Sequence, residues 1–303
     1  MRVVSLLPSA TELLYALDVD PVGVSHSCDY PPAAREKPVL TSTAIDYGDD
    51  RSAADIDRQT RRVEGGVYDV DEGLLAELDP DLVVTQATCE VCAVDASDVL
   101  AAVERRGVDA EVLTLDPHSL SDVLDDVERV GAAADASERA ASLRAALTAR
   151  VDRVTDRAAA TTDRPRTAVF DWTDPVIAGG HWVPGMVERA GGTPGLVTDG
   201  PSKPQRWTDV RSFDPEVLVV APCGFGVERA ADALADLRSK DGWDDLTAVR
   251  DGNVFVADGN GHVNRPGPRL VDSVELLASC IHPERFDAPA PDVVRRADAG
   301  PRA

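Results

Sequence analysis

Six side chains able to ligate metal fall where the pattern predicts strand ends. They are Cys28, Cys89, Cys92 and Cys223, with His26 and His181 nearby. Thiolates and imidazoles of this kind can hold zinc or an iron–sulfur cluster. The Cys89-Glu90-Val91-Cys92 spacing suits a metal, and it equally suits a redox pair. No second such pair follows, and cysteines are often simply small buried hydrophobes. Cys280, on the apolar face of the last predicted helix, reads as core. The odd total of five cysteines argues against a disulfide framework.

Aromatic residues make up only 4% of the chain. Even so, Tyr30, Trp172, Trp182, Trp207 and Phe225 all lie in predicted strand-end loops. Such rings can wall a cleft for a flat, largely apolar ligand, and Asn260 adds an amide for hydrogen bonding. The competing reading is ordinary core packing, which is how Trp243 reads. His118 either faces the cleft or caps the helix opening at Ser119. His262 lies in the equivalent loop of the second half, and His282 reads as surface. No phosphate loop, Gly-x-Gly-x-x-Gly run or Ser/His/Asp order is present, so no enzyme is expected.

These residues need a frame to hold them. Residues 137–160 contain no Gly or Pro, and Leu143, Leu147, Val151, Val154 and Ala158 form one apolar stripe. That predicts a helix of about 36 Å, capped by Ser137. On either side, strands alternate with helices. Strands are expected at 3–7, 22–25, 82–85 and 111–115, and again at 167–171, 217–220 and 253–257. Helices are expected at 11–16, 52–62, 72–77, 96–106, 119–133, 184–190, 228–238 and 270–281. Asp79-Pro80-Asp81-Leu82-Val83-Val84 resembles Asp214-Pro215-Glu216-Val217-Leu218-Val219, which points to one plan used twice. The expected fold is α/β: two Rossmann-like lobes with parallel sheets, joined by one long backbone helix. Ligands then sit beyond the carboxyl ends of the strands. The expected divisions are 1–118, a helical connector at 119–163, 164–286, and a flexible tail at 287–303.

The chain has 303 residues, 43% of them hydrophobic, and a net charge of −23. Its lysines are Lys37, Lys203 and Lys240. A surface this acidic repels phosphate backbones, so nucleic acid is not an expected partner. The acids are spread along the whole chain, as in a solvated shell suited to high salt. The opening residues read directly as strand, turn and helix, so the expectation is a cytoplasmic monomer. An extracytoplasmic location would require a true start further upstream.

Four segments, in order, carry a resemblance. They are Arg2-Val3-Val4-Ser5-Leu6-Leu7-Pro8-Ser9-Ala10-Thr11-Glu12, Pro21-Val22-Gly23-Val24-Ser25 running into Asp29-Tyr30-Pro31-Pro32, Asp79-Pro80-Asp81-Leu82-Val83, and Pro268-Arg269-Leu270. Together they cover roughly residues 2–285 and resemble the cobalamin-type substrate-binding proteins of ABC importers. The resemblance implies little hinge motion and a corrinoid, haem or ferric siderophore in the cleft. Asp-Tyr-Pro-Pro tilts the choice toward cobalamin, whose cobalt a thiolate or imidazole could ligate. It also implies a permease partner. The acids that would dock it are Asp95 or Asp98 in one lobe and Glu228 in the other. The loop from Asp258 to Arg269 is longer than that pattern.

Overall fold

The computed structural model describes residues 1–48, 51–63, 66–88, 94–287 and 289–297. The first lobe runs β1 (Val3–Ser5), α1 (Pro8–Ala16), β2 (Gly23–Val24), β3 (Thr41–Thr43), α2 (Ala53–Thr60), β4 (Tyr68–Val70), α3 (Glu72–Leu78), β5 (Leu82–Gln86), α4 (Ala96–Arg106) and β6 (Glu111–Leu115). Its sheet has the order β2-β1-β5-β6, and every pairing is parallel. The apolar runs Val3-Val4 and Leu82-Val83-Val84 are buried on both faces, as a parallel sheet covered by helices requires. β3 and β4 form a separate antiparallel pair within the 41–70 excursion.

Next come α5 (Leu120–Ala133) and α6 (Ser137–Ala159). α6 is the expected rod, 23 residues long. It buries Leu147, Val151, Val154 and Ala158 as the stripe requires, with Leu143 at the edge. Ser137 does not cap it: Ala136 occupies the cap position, and no side chain accepts there. Arg144 reaches Asp125 on α5.

The second lobe runs β7 (Thr167–Thr173), β8 (Val176–Ala178), α7 (Trp182–Arg189), β9 (Lys203–Pro204), α8 (Trp207–Phe213), β10 (Val217–Val220), α9 (Val227–Arg238), α10 (Thr247–Arg250), β11 (Val254–Ala257), α11 (Leu270–Ile281) and β12 (Val294–Arg296). The sheet order is β12-β11-β10-β7-β8-β9. β11, β10 and β7 are parallel, while β8, β9 and β12 are antiparallel additions at the edges. β12 falls where a flexible tail was expected. Val294 is buried and Arg295 pairs with Glu228, which fixes the segment to the sheet edge.

The repeat seen in sequence is also a repeat of local structure. Asp79 ends α3 and Asp214 ends α8, and both adopt left-handed backbone, with φ of 40° and 47°. A proline follows each and starts the approach to the central strand. Aspartate tolerates that backbone better than most residues because its short side chain bonds locally. Asp214, in addition, accepts from Thr247 N.

One apolar cluster spans both lobes. It takes Val3, Leu14 and Leu82 from the first, Val169, Met186 and Leu277 from the second, and Leu147 and Val151 from α6 between them. α6 packs against α5 on one side and against α7 and α11 on the other. Arg150 adds bonds to Asp272 and Glu275 on α11. The lobes therefore share a helical layer as well as a connecting rod.

Candidate functional site

Loops at the carboxyl ends of the strands meet across the lobes. The tightest meeting is a charge network between α1, the loop after β2 and the loop after β11. Arg265 Nη1 donates to Glu12 Oε1 at 2.8 Å and to Asp29 Oδ1 at 2.7 Å. Asn260 Nδ2 donates to Asp29 Oδ2 at 2.9 Å, and Arg265 Nη2 donates to Asn260 Oδ1 at 3.2 Å. Arg269 donates to both Glu12 oxygens, at 2.9 and 2.5 Å. The Glu12 side chain is 2% exposed and that of Arg265 6%. Burial works against the Asp29 charge, but the bonds and field of Arg265, helped by Asn260, hold its carboxyl below the usual range. The loop that carries these arginines is itself braced. Asp258 accepts from the backbone of Asn260 and Gly261 and pairs with His262, and Asn264 donates to Ala221 O.

Tyr30 stands beside this network. Its ring lies under the Arg269 guanidinium, 4.1 Å from carbon to centroid, yet it remains 46% exposed. Of the expected ligand-binding residues, Tyr30, Asn260 and His181 lie at the interlobe face. His181 Nδ1 is 3.2 Å from His118 Nδ1 of the other lobe, and burial, with the charge of His118 behind it, lowers its pKa. Trp172 packs on Phe225, with ring centroids 5.3 Å apart, in a cluster with Ile45 and Ile56 of the 41–70 excursion. Phe225 is buried there. Arg229 covers its ring and donates to the carbonyls of Tyr47, Gly48 and Arg51.

Two expected wall residues pack elsewhere: Trp182 is core, and Trp207 is half-buried. Trp182 is buried in the shared apolar cluster, with Nε1 donating to Val263 O. Trp207 stacks on Trp243 and donates to Asp241 O, against the second lobe's own core.

Asp171 and Trp172 carry a further signal. A bulge in β7 between Phe170 and Trp172 re-aims this stretch. Asp171 Oδ1 and Trp172 Nε1 are both buried without a hydrogen-bond partner. Burial pushes the Asp171 carboxyl up to about 6, against a bond from Ser202. A buried acceptor and a buried donor left unmatched in this way call for a partner.

Of the expected four-cysteine metal site, Cys28 and Cys223 lie among the described residues. Cys28 is buried among Val24, Ala34 and Tyr15, its sulfur 3.0 Å from Thr11 Oγ1. Burial pushes its thiol up to about 11. Cys280 is core, pushed up to about 12 for the same reason. Cys223 is exposed. Cys89 and Cys92 lie outside the described residues. His26 is bonded to Thr41 and packed on Tyr68. Among the described residues no three of His, Cys, Asp and Glu converge as metal ligands, so neither zinc nor an iron–sulfur cluster gains support from that cluster.

Asp95 caps α4 by accepting from Ser97 N, Asp98 sits exposed in the same first turn, and Glu228 lies in the first turn of α9. These two helices follow β5 and β10, the two copies of the internal repeat. An indentation between β7 and α7, with room for about one water molecule, is lined by Val169, Gly179, Val183 and Leu196, and none of the interlobe charges borders it.

Sequence reasoning missed Glu12, Asp29, Arg265 and Arg269 as a unit. One signal was available: Glu12 sits alone on an otherwise apolar helix face, where a charge needs a partner.

A profile of the family described as "Periplasmic binding protein" matches residues 3–260. The chain belongs to the periplasmic binding protein family. A Bacillus subtilis relative in this group, the ABC transporter substrate-binding lipoprotein YvrC, is 25% identical over 291 residues, which is 94% of this chain and 81% of the relative. Among solved structures, a periplasmic haem-binding protein from Pseudomonas aeruginosa matches with a TM-score of 0.72 and 23% identity, covering 98% of both chains. The vitamin B12-binding protein BtuF of Vibrio cholerae matches with a TM-score of 0.66 and 20% identity, covering 92% of this chain and 96% of that one. The two-lobed, helix-joined fold is thus the periplasmic binding protein fold. Membership in a periplasmic family, and the lipoprotein nature of the relative, overturn the cytoplasmic expectation drawn from the opening residues.

Proposed function

We propose that this periplasmic binding protein is the solute-binding component of an ABC importer, and that its ligand is a corrinoid of the cobalamin type held across the interlobe face. Relatives of this fold are named for vitamin B12 and for haem, so the choice rests on charge. Haem carries two propionates and needs unmatched cations. Arg265 and Arg269 are already matched by Glu12 and Asp29. A corrin carries neutral amides around its rim. Each amide offers two N–H donors and a carbonyl acceptor, and Asp171 Oδ1 and Trp172 Nε1 would pair with one N–H and the carbonyl. The single observation that carries the reading is this neutral network beside the exposed ring of Tyr30. An anionic siderophore meets the same electrostatic objection as haem.

The ring enters where the lobes meet through side chains, so contacts such as Asp29–Asn260 part on loading. The permease would read Asp98 and Glu228, the exposed acids heading equivalent helices, with Asp95 holding the first of these in place. Cobalamin titration followed in the visible spectrum tests the reading. Trp172→Phe keeps the ring but removes Nε1, and should weaken binding about tenfold, the worth of one hydrogen bond. Equal affinity for cobalamin in Trp172→Phe and Asp171→Ala would remove the amide contacts from the proposal.

A further inference from the structure

We infer that His118 and His181 form a site for a first-row divalent metal ion that bridges the two lobes. His118 follows β6 in the first lobe, and His181 precedes α7 in the second. Their Nδ1 atoms are 3.2 Å apart. Two imidazole nitrogens on one tetrahedral zinc, each about 2.0–2.1 Å from it, stand about 3.3 Å apart. The ring centroids are 5.2 Å apart, with the planes tilted by 33°.

Each ring is also held. His118 Nε2 lies 3.2 Å from Asp116 Oδ2. A carboxylate beside the far nitrogen is a common neighbour of a metal-binding imidazole, and its charge favours the proton on Nε2, which leaves Nδ1 as the ligand. His181 stacks on Trp182, with centroids 5.6 Å apart, and Trp182 is in turn anchored to Val263 O. The His181 backbone has φ of 50°, a conformation few side chains adopt, and its N–H donates to Gly200 O at 2.6 Å. Among the described residues, His118 and His181 are the ligands that meet at this point. His118 is 58% exposed, so the ion has a direct path from solvent. Nitrogen ligands of this type favour zinc, copper or nickel over calcium or magnesium. This site does not depend on the corrinoid reading.

The test is isothermal titration of the full chain with zinc chloride, without corrinoid. It is run on a Cys89→Ser/Cys92→Ser variant so that thiolate-bound zinc does not contribute. One ion per chain is expected. His118→Ala and His181→Ala should each abolish binding. Asp116→Asn should weaken it about 10–100-fold, as loss of such a carboxylate does. His26→Ala and His282→Ala should leave it unchanged. His118 is exposed, so its removal leaves the core intact, and zinc should raise the melting temperature of the parent but not of His118→Ala. Absence of zinc binding in the parent, or binding that survives His118→Ala, overturns the inference.

Discussion

Glu12 is where the interlobe face is most sensitive to a single change. Its carboxylate accepts three bonds from two guanidinium groups and is almost wholly buried. Glu12→Gln keeps the shape but removes the charge, and its amide turns donors toward donors. Breaking a buried ion pair from one side costs ~3–5 kcal/mol. Arg265 keeps Asp29 as a partner, and Arg269 is 20% exposed and can take up water. The loss should therefore fall near the lower end, about 3 kcal/mol. Asp29 is 30% exposed, so Asp29→Asn should cost only about 1 kcal/mol. Glu72→Ala, which removes an exposed pairing with Arg105 and Arg106, should have the smallest effect of the three. Urea unfolding followed by circular dichroism measures all three. The apolar cluster shared by both lobes should give one transition, so the free energies can be compared. Adding Arg269→Met to Glu12→Gln should recover part of the loss, because it removes one stranded cation. A loss under about 1 kcal/mol in Glu12→Gln, or a larger one in Asp29→Asn, would refute the reasoning.

Asp171 predicts a pH effect. Its folded pKa of about 6 stands above the ordinary carboxyl value, so the folded state binds the proton more tightly than the unfolded chain. Its burial therefore costs nothing below about pH 4 and costs progressively more as pH rises through about 6. Asp171→Asn should be about 2 kcal/mol more stable than the parent at pH 7 and equal to it near pH 3.5, as read from unfolding curves; an unchanged difference across that range would count against the burial argument. Gly131 on α5 faces Ala140 on α6, and a Cβ there would lie 2.2 Å from the Ala140 Cβ. Gly131→Ala should lower stability by about 1–3 kcal/mol through overpacking, which a thermal melt checks. The paired reversal Asp98→Lys with Glu228→Lys should abolish binding to the permease while leaving ligand titrations unchanged; retained docking would remove these acids from the partner surface.

The frame was legible because its signals are local. The α6 stripe, the apolar strands and the two Asp-Pro turns each depend on residues within a few positions of one another. The charge network was not, because its partners lie far apart: Glu12 and Arg265 are separated by 253 positions. Neither residue looks unusual until the fold brings them together. Trp182 and Trp207 were misplaced for a related reason. Both sit in strand-end segments, where a cleft is expected, but in each case the indole N–H is satisfied by a backbone carbonyl and the ring is spent on packing. Cys28 shared its loop with Tyr30 yet points into the apolar cluster around Val24. Alternation along a short loop decides which side chain reaches the cleft, and spacing alone does not encode it. The edge strand β12 was hidden in the same way. Its composition reads as a tail, and its ties to the sheet, the backbone pairing with β11 and the bond of Arg295 to Glu228, 67 positions earlier, come from residues distant in sequence.

The most direct test of the central claim is a parallel titration of the purified chain with cobalamin and with haem, repeated on Tyr30→Ala. The account predicts one cobalamin per chain, bound more tightly than haem, and a loss of about 10–100-fold on removing the Tyr30 ring, the worth of a buried aromatic side chain. Haem bound more tightly than cobalamin, or cobalamin binding indifferent to Tyr30, would contradict it.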